Sequence, residues 1–354
     1  MARLIDPLFD RMLDLKASDL HLHQDETPKA RVHGVMQPLT EFPPFDTGRM
    51  AAMMQELCGP RWGEFQEVND LDFACDFGDR ARFRANFKQH YGGLGAVFRV
   101  IPSHVLTLEE LKAPPVLNEF AEFPSGLCLV TGPTGSGKST TLAAIIDHIN
   151  STQRRTILTI EEPIEFVHSS RESVIIQREI GVDVNEFSDG LRGALRQDVE
   201  VVLVGEMRDL ETIQLAVTAA ETGLLVFGTL HTNSAIKTID RIIDVFPPDE
   251  QKAVRESLAT ALRAVCAQQL LPTIDGKGRV AAHEIMIQNR AVSNLIREAK
   301  TNQIIQAMMS GKAQGMQLMD DALESLVRSN VISGQSAWMK AADKERFQQY
   351  AEKS

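Results

Sequence analysis

The sequence lacks the features that would place it outside the cell or inside a membrane. It has four cysteines among 354 residues, with no C-x-x-C pair, so we predict buried, reduced thiols and neither a disulfide framework nor a zinc knot. No apolar run approaches the ~18 residues that a membrane span needs, and the first residues do not resemble a signal peptide. We therefore expect a cytoplasmic protein that reaches any membrane through a partner.

The sequence also lacks an excess of positive charge. Its formal net charge is −11, which argues against a non-specific grip on the phosphate backbone of a nucleic acid, and no nucleic-acid partner is expected. The chain does have length and apolar content. Its 354 residues predict two or three domains, and its 43% of hydrophobic residues is enough for proper cores.

The pattern of apolar residues divides the chain into four parts. Residues 1–101 mix helical pieces with alternating strands, which predicts a small α+β domain. Residues 102–125 contain four prolines and predict a linker with one short helix near residues 108–111. Residues 126–270 alternate continuous apolar runs with helical stretches, as in a mostly parallel sheet covered on both faces. Residues 271–354 are predicted to be largely helical.

The most specific motif fits the phosphate-loop pattern G-x-x-x-x-G-K-[ST] and lies between an apolar run at 127–130 and a helical stretch at 140–149. Its glycines let backbone N–H groups turn inward around phosphate oxygens, and the helix adds its positive N-terminal end. We expect a nucleoside triphosphate here, with Lys138 on the β- and γ-phosphates and Ser139 on Mg²⁺. The residues predicted to bind it are Gly132, Pro133, Thr134, Gly135, Ser136, Gly137, Lys138, Ser139 and Thr140.

Two later apolar runs end in polar residues that suit the same site. The run at 201–204 leads through Gly205 to Glu206, an acid placed to orient Mg²⁺ or its waters. The run at 224–230 leads to His231, which is placed to sense the terminal phosphate. A lone histidine is more often structural, but the neighbouring site elements favour the phosphate role.

A third strand end carries three acids around a proline: Glu161, Glu162 and Glu165, with Pro163. Proline fixes a bend that would hold one carboxylate near the γ-phosphate, where it polarises an attacking water. The residues alone leave open which acid does so, and an acidic turn at a strand end is the simpler structural interpretation.

Together these segments resemble the secretion-ATPase superfamily, and within it the type IV pilus retraction ATPases, the PilT and PilU group. The likeness runs nearly end to end. Residues 206–212 look like PilT, whereas residues 267–279 and the long C-terminal tail lean towards PilU, and we favour PilT. The four nucleotide-site motifs of the family correspond to residues 132–140 for Walker A, 159–165 for the Asp box, 203–209 for Walker B and 227–232 for the His box.

The resemblance implies a PAS-like first domain, a RecA-like motor domain, and a homo-hexamer with ATP between the two domains and at subunit boundaries. It implies that Glu165 is the catalytic carboxylate and that Glu206 is the Walker B acid acting through Mg²⁺. It also matches Arg82, Arg84 and Arg99 to the family's arginines that reach the phosphates from the first domain. Without the resemblance, these arginines would be interpreted as a solvated strand face.

Three positions depart from the family pattern. Leu224 stands where the family usually has a histidine, and because it directly precedes the strand that ends at His231, a histidine there would lie near the phosphate-sensing edge. The alternative is that position 224 starts a buried strand, where leucine adds packing. The glycines at 92 and 93 stand where a further arginine is often found, and Ser293 replaces an arginine of a motif linked with retraction. We expect nucleotide binding to survive all three changes. Any loss is expected in the coupling of ATP hydrolysis to motion.

The sequence therefore predicts a hexameric cytoplasmic ATPase that powers type IV pilus retraction, and hence twitching motility. Its expected partners are an inner-membrane platform protein and a paralogous retraction ATPase. The first alternative is a pilus assembly or type II secretion ATPase, but those usually carry an extra N-terminal domain and a four-cysteine zinc insertion.

A second alternative is a nucleic-acid translocase on a RecA-like core, which the acidic charge and the lack of a basic, aromatic stripe disfavour. A third is a non-hydrolysing subunit of a mixed ring. The intact Lys138, Glu165 and Glu206 argue against it, whereas Leu224 and the PilU-like segments leave it open.

Overall fold

In the computed structural model, which describes residues 3–32, 34–101, 104–276 and 278–351, the chain forms two compact units. The first takes in the described residues up to His104 together with Glu162–Val167. The second takes in Val105–Glu161 and the described residues from His168 onwards. Within these ranges, no helix combines the length and the apolar character that crossing a membrane requires.

The first unit contains an antiparallel sheet with the strand order β3-β2-β1-β6-β5-β4. Its elements in chain order are α1 (Asp6–Asp14), β1 (Asp19–His23), β2 (Lys29–Val32), β3 (Val35–Pro38), α2 (Thr47–Cys58), α3 (Trp62–Val68), β4 (Asp70–Phe77), β5 (Ala81–His90) and β6 (Gly93–Ile101).

Strand β5 explains why this sheet has one face in the core. Phe83 and Phe87 are buried. Arg82, before Phe83, and Arg84, after it, point to the other face of the sheet and stay partly exposed. Phe9 of α1 stacks on Phe83 with ring centroids 3.9 Å apart. The first unit therefore has an aromatic core on one side of its sheet and a charged surface on the other.

The residues from Met50 to Phe65 have the pattern of one helix, but the structure divides them between α2 and α3. Gly59 adopts a φ of +52°, which ends α2, and the proline that follows lacks the N–H needed to continue the helical hydrogen bonds. The alternating residues from Lys29 to His33 also predict a strand, and β2 forms it as far as Val32, whereas His33 lies outside the described residues.

The second unit contains a sheet with the strand order β13-β12-β7-β11-β10-β8-β9. Its elements are α4 (Val116–Glu122), β7 (Gly126–Thr131), α5 (Lys138–Thr152), β8 (Thr156–Glu161), β9 (Val174–Glu179), α6 (Phe187–Ala194), β10 (Val201–Val204), α7 (Leu210–Glu221), β11 (Leu225–Leu230), α8 (Ala235–Asp244), α9 (Gln251–Ala261), β12 (Leu262–Pro272), β13 (Arg279–Ile287), α10 (Arg290–Arg297), α11 (Ile304–Ser310), α12 (Met319–Arg328), α13 (Gly334–Lys340) and α14 (Lys344–Ala351).

Strands β7 to β12 pair in parallel, and β13 pairs antiparallel with β12. Every residue of β7, β10 and β11 is buried, as in a parallel sheet whose two faces are both covered. The apolar runs predicted as strands correspond to β7, β8, β10 and β11, so the predicted α/β class is confirmed.

Two details of the sequence prediction are wrong. Strand β13 lies in the stretch expected to be largely helical, because the chain folds back onto β12 as a hairpin, with the N–H of Thr273 donating to the carbonyl oxygen of Gly278 at 3.0 Å. Residues 108–111 form hydrogen-bonded turns instead of a helix, and Lys112, with a φ of +53°, ends them. The division into domains at residues 101, 125 and 270 remains a prediction.

Candidate nucleotide site

The phosphate loop connects the carboxyl end of β7 to Lys138, the first residue of α5. Gly132, Gly135 and Gly137 have φ values of +148°, +77° and +89°, which residues with a side chain rarely adopt. A Cβ atom on Gly132 would lie 2.3 Å from the carbonyl oxygen of Gln268, so only glycine fits there. Glycine is therefore required by both the backbone and its surroundings.

The side chains of the loop suit an anionic ligand. Lys138 folds over the loop, with Nζ donating to the carbonyl oxygens of Gly132 at 2.9 Å and Pro133 at 3.3 Å. The Ser136 hydroxyl is buried and has no hydrogen-bond partner among the residues that the structure describes. Ser139 and Thr140 belong to the first turn of α5, whose 15 residues give it a positive N-terminal end. These residues fit the phosphates of a nucleotide, while Pro133, Thr134 and Gly135 form the exposed tip of the loop.

Glu206 and His231 meet at the same edge of the sheet, because β10 and β11 are parallel neighbours and each residue follows the end of its strand. Nε2 of His231 lies 2.9 Å from Oε1 of Glu206. Arg208 also contacts this carboxylate, with Nε 2.6 Å from Oε1 and Nη2 donating to Oε2 at 2.7 Å. The structure thus brings two predicted site residues together and adds an arginine.

The surroundings of Glu206 favour its charged form. Burial acts to raise the pKa of this carboxyl, but the hydrogen bond from Arg208, the charge of Arg208 and the neighbouring His231 outweigh burial, so the pKa lies below its ordinary value. Glu206 is therefore ionised at neutral pH, the form that attracts a cation or orders water around one.

Glu165 belongs to the first unit, where it forms an ion pair with Arg84. Nη1 of Arg84 lies 3.5 Å from Oε1 of Glu165, and its Nε lies 3.8 Å from the carboxylate of Asp72. Arg82 donates from Nε to the carbonyl oxygen of Ile164 at 3.1 Å. The acid matched to the catalytic carboxylate and one of the matched arginines are therefore adjacent within one unit.

Arg99 lies directly opposite Arg84 on the neighbouring strand. Its Nε donates to Oδ1 of Asp19 at 2.8 Å, and Asp19 is buried. Burial acts to raise the pKa of Asp19, but hydrogen bonds from Ser18 and Arg99 bring it below its ordinary value. Because the Arg99 side chain is itself 66% exposed, the buried aspartate holds a guanidinium that solvent can reach.

Leu224 lies far from the phosphate-sensing edge, so the structure favours packing over phosphate sensing at this position. Leu224 precedes the first residue of β11 and His231 follows the last. At ~3.3 Å per residue, the strand separates the two ends by roughly 20 Å. Leu224 packs against the apolar core, and its carbonyl oxygen accepts a hydrogen bond from the N–H of Gly126 at 2.9 Å.

The other two departures from the family pattern occupy ordinary structural positions. Ser293 is buried in α10, where its hydroxyl donates to the carbonyl oxygen of Ala259 at 3.0 Å and accepts from Nε2 of Gln288 at 2.6 Å. Gly92 lies between β5 and β6, and its N–H donates to Nδ1 of His90 at 3.1 Å. The serine therefore joins α10 to α9 inside the second unit.

Sequence reasoning does not single out Arg208 or Gln268. Arg208 stands two residues after Glu206 in the Walker B segment, a spacing at which only the acid draws attention. Gln268 and Gln269 interrupt the otherwise apolar stretch of β12 from Ala264 to Leu271, and Gln268 is 2% exposed. A polar residue in a strand expected to be buried is the sequence signal that could have found Gln268.

A phosphate loop at the carboxyl edge of a largely parallel sheet, with an ionised acid following a second strand of the same sheet at that edge, defines a P-loop nucleoside triphosphatase with a RecA-like core. Residues 1–353 match the family described as type II/IV secretion system protein, and the chain belongs to that family.

Relatives within this family are similar over nearly the whole chain. A twitching motility protein of Neisseria gonorrhoeae is 52% identical over 320 residues, covering 90% of this chain and 85% of that protein. The type IV pilus retraction ATPase PilT of Pseudomonas aeruginosa is 50% identical over 332 residues, covering 94% and 96%. A crystal structure of the pilus retraction motor PilT with bound ADP is 40% identical, has a TM-score of 0.89, and covers 98% of this chain and 99% of that one.

These likenesses confirm the resemblance read from the motifs. The chain is a nucleotide-binding secretion ATPase of the pilus retraction type, with an N-terminal domain followed by a RecA-like ATPase domain.

Proposed function

We propose that this chain hydrolyses ATP as a ring of six copies and thereby powers type IV pilus retraction and twitching motility. The observation that carries the proposal is the Glu206–His231 pair at the sheet edge where the phosphate loop begins. Pilus retraction as the work performed rests on the twitching motility and retraction relatives. The ring would act on the cytoplasmic face of the inner membrane, docked on a platform protein and assisted by a paralogous retraction ATPase.

Lys138 and the backbone N–H groups of the loop bind the β- and γ-phosphates and hold the nucleotide in place. Ser139 and Glu206 are the residues that would hold Mg²⁺, which supplies positive charge against the phosphate oxygens when it is bound. His231 and Arg208 keep the Glu206 carboxylate charged and in place.

Glu165 is the better candidate for the acid that polarises water. Oε1 of Glu161 accepts from the Thr159 hydroxyl at 2.7 Å and the Gln177 amide at 3.3 Å, and Glu165 is itself paired with Arg84, so the choice of Glu165 rests on its match to the family's catalytic carboxylate. Arg84 and Arg99 would supply charge that stabilises the transition state, as arginines do in related phosphoryl transfers.

Lys138→Ala tests the proposal, with Lys252→Ala as the control because Lys252 is an exposed lysine of α9. We expect K138A to lose ATP turnover and K252A to keep it. In a strain that lacks the gene, K252A should restore twitching and K138A should leave the cells hyperpiliated.

The two readouts separate the two parts of the proposal. Wild-type turnover by K138A would contradict the nucleotide site, whereas normal twitching by a K138A strain would contradict retraction alone. Light scattering after size exclusion that finds monomers at every nucleotide and protein concentration would contradict the ring.

A further inference from the structure

Gln268 connects the phosphate loop to the helix that follows it. The residue lies on β12, which flanks β7 on the side opposite β11. Its Nε2 donates to the carbonyl oxygen of Ser136 at 2.7 Å, and its Oε1 accepts from the Thr141 hydroxyl at 2.8 Å. Thr141 is buried in the first turns of α5, so one buried amide bridges the loop and its helix.

The orientation of this amide follows from its partners. The Ser136 carbonyl can only accept, so the NH₂ end of Gln268 must face it and the oxygen must face Thr141. An ionised carboxylate could not donate to Ser136, and an ammonium could not accept from Thr141. A side chain with one donating and one accepting end is therefore required.

The need for such a bridge comes from how a phosphate loop works. Its N–H groups must point at the ligand, which turns carbonyl groups such as that of Ser136 into the protein. A buried carbonyl without a donor is unfavourable, and the loop would turn to find one. Gln268 supplies that donor from a rigid strand.

The backbone of Gln268 also bounds the loop. A Cβ atom on Gly132 would lie 2.3 Å from the Gln268 carbonyl oxygen, and one on Gly137 would lie 2.8 Å from Nε2. The same residue thus touches the loop near its first and last glycines, as well as bonding to Ser136 between them.

We propose that Gln268 is a positioning residue that holds the phosphate loop in its nucleotide-binding conformation by linking the Ser136 carbonyl to Thr141. The inference deepens the proposed ATP site and rests on it. It predicts an effect on nucleotide affinity, because a loop that leaves its binding conformation weakens contacts made equally before and during hydrolysis.

The test compares Gln268→Met, Gln268→Glu and the control Gln269→Met in the full-length chain. Gln269 is the next residue of the same strand, faces the other side and is only partly buried. Binding of a fluorescent ADP, the KM and kcat for ATP, and the shift of the melting temperature by ADP are measured for each.

We expect Q268M to raise the KM for ATP and the Kd for ADP by about tenfold each, with kcat changing less than about threefold. Q268E should bind more weakly still, because its carboxylate faces the Ser136 carbonyl, and Q269M should match the wild type. A purely structural role would lower the melting temperature without changing KM, and that result overturns the proposal.

If Q268M does not fold, Thr141→Val decides, since it removes one hydroxyl of the bridge and leaves the loop sequence intact. An unchanged KM for T141V overturns the proposal. If the wild-type chain binds no ADP, the proposed nucleotide site is contradicted. If the wild type and Q268M bind ADP equally well, only the role of Gln268 is contradicted.

Discussion

The two units of the chain bury their sheets differently, and this decides where their functional side chains stand. The antiparallel sheet of the first unit buries one face, so Phe83 and Phe87 alternate with Arg82 and Arg84 along one strand. The parallel sheet of the second unit buries both faces of β7, β10 and β11. The arginines matched to the family therefore lie within strands, whereas the phosphate-binding residues follow strand ends.

This difference has a consequence for substitutions. A mid-strand arginine on a solvated face can be removed without opening a cavity, so its loss should affect turnover and leave the fold intact. A residue of the phosphate loop is constrained by backbone conformation and by neighbouring strands. Its replacement should therefore affect binding first.

The largest effect is expected at Glu165, the acid held by the first unit. Glu165→Gln keeps the size of the side chain and removes its charge, so we expect turnover to fall by ~10²–10⁴-fold while ATP still binds. Single-turnover kinetics with a binding assay would measure both. Glu161→Gln is the matched control, and if it loses turnover while E165Q keeps it, the base lies in the second unit.

The next largest effect is expected at Gly132 in the second unit, and it is an effect on nucleotide affinity. Gly132→Ala places a Cβ 2.3 Å from the Gln268 carbonyl oxygen, and we expect nucleotide affinity to fall by about 100-fold, as roughly 3 kcal/mol of strain would require. Titration with a fluorescent ADP would measure it. Gly63→Ala is a control, because Gly63 lies in α3 with open space around it. ADP affinity of G132A equal to the wild type would show that the loop tolerates a side chain.

Histidine burial offers a third test, on stability. His283 on β13 is buried, and burial lowers its pKa from 6.5 to about 4. Because the folded-state pKa is below the unfolded one, the stability that this group contributes is present above about pH 6.5 and is lost as the pH falls towards 4. The expected loss is roughly 3 kcal/mol.

Denaturant unfolding of the wild type and His283→Leu at pH 7 and pH 4 would measure this contribution. The wild type should lose more free energy of unfolding than H283L over that interval. Burial also lowers the pKa of His21 in the first unit, but that histidine is only partly buried. Identical pH dependence of wild type and H283L would mean that His283 is not the group responsible.

The sequence predicts the second unit well wherever a strand leads to a motif. Continuous apolar runs locate β7, β10 and β11, and parallel strands bring their carboxyl ends to one edge, which places Glu206 beside His231. Strand β13 and Gln268 are missed, because a hairpin partner and a buried amide bridge are set by tertiary pairing that no local pattern encodes.

In the first unit, sequence periodicity assigns residues to faces but gives no roles. Arg84 and Arg99 alternate with buried residues as solvated side chains do, and their carboxylate partners, Asp72, Glu165 and Asp19, are distant from them in sequence. Only the family resemblance marks these arginines as functional.

Arg99→Ala tests that assignment against the solvated-face alternative. We expect ATP affinity to stay near the wild type and turnover to fall by about tenfold, the value of one charge-assisted bond in the transition state, while the melting temperature falls because the buried Asp19 loses a partner. Arg31→Ala is the matched control, because Arg31 lies on β2 with its Nε 3.6 Å from Oδ2 of the same Asp19. Equal turnover in R99A and R31A would favour the solvated face.

The smallest effect on turnover is expected at Leu224, where the family usually has a histidine. The strand β11 separates this position from His231, so an imidazole at 224 would lie at the amino edge of the sheet, out of reach of phosphates bound at the carboxyl edge of the same chain. Leu224→His should leave turnover within about twofold of the wild type.

Leu224→His should also lower the free energy of unfolding by about 1–2 kcal/mol, because a polar ring replaces a leucine packed on the core. Leu224→Met, which nearly conserves volume, is the control for packing and should cost less than about 1.5 kcal/mol. Faster turnover by L224H with an unchanged melting temperature would instead mean that this edge of the sheet contributes to hydrolysis.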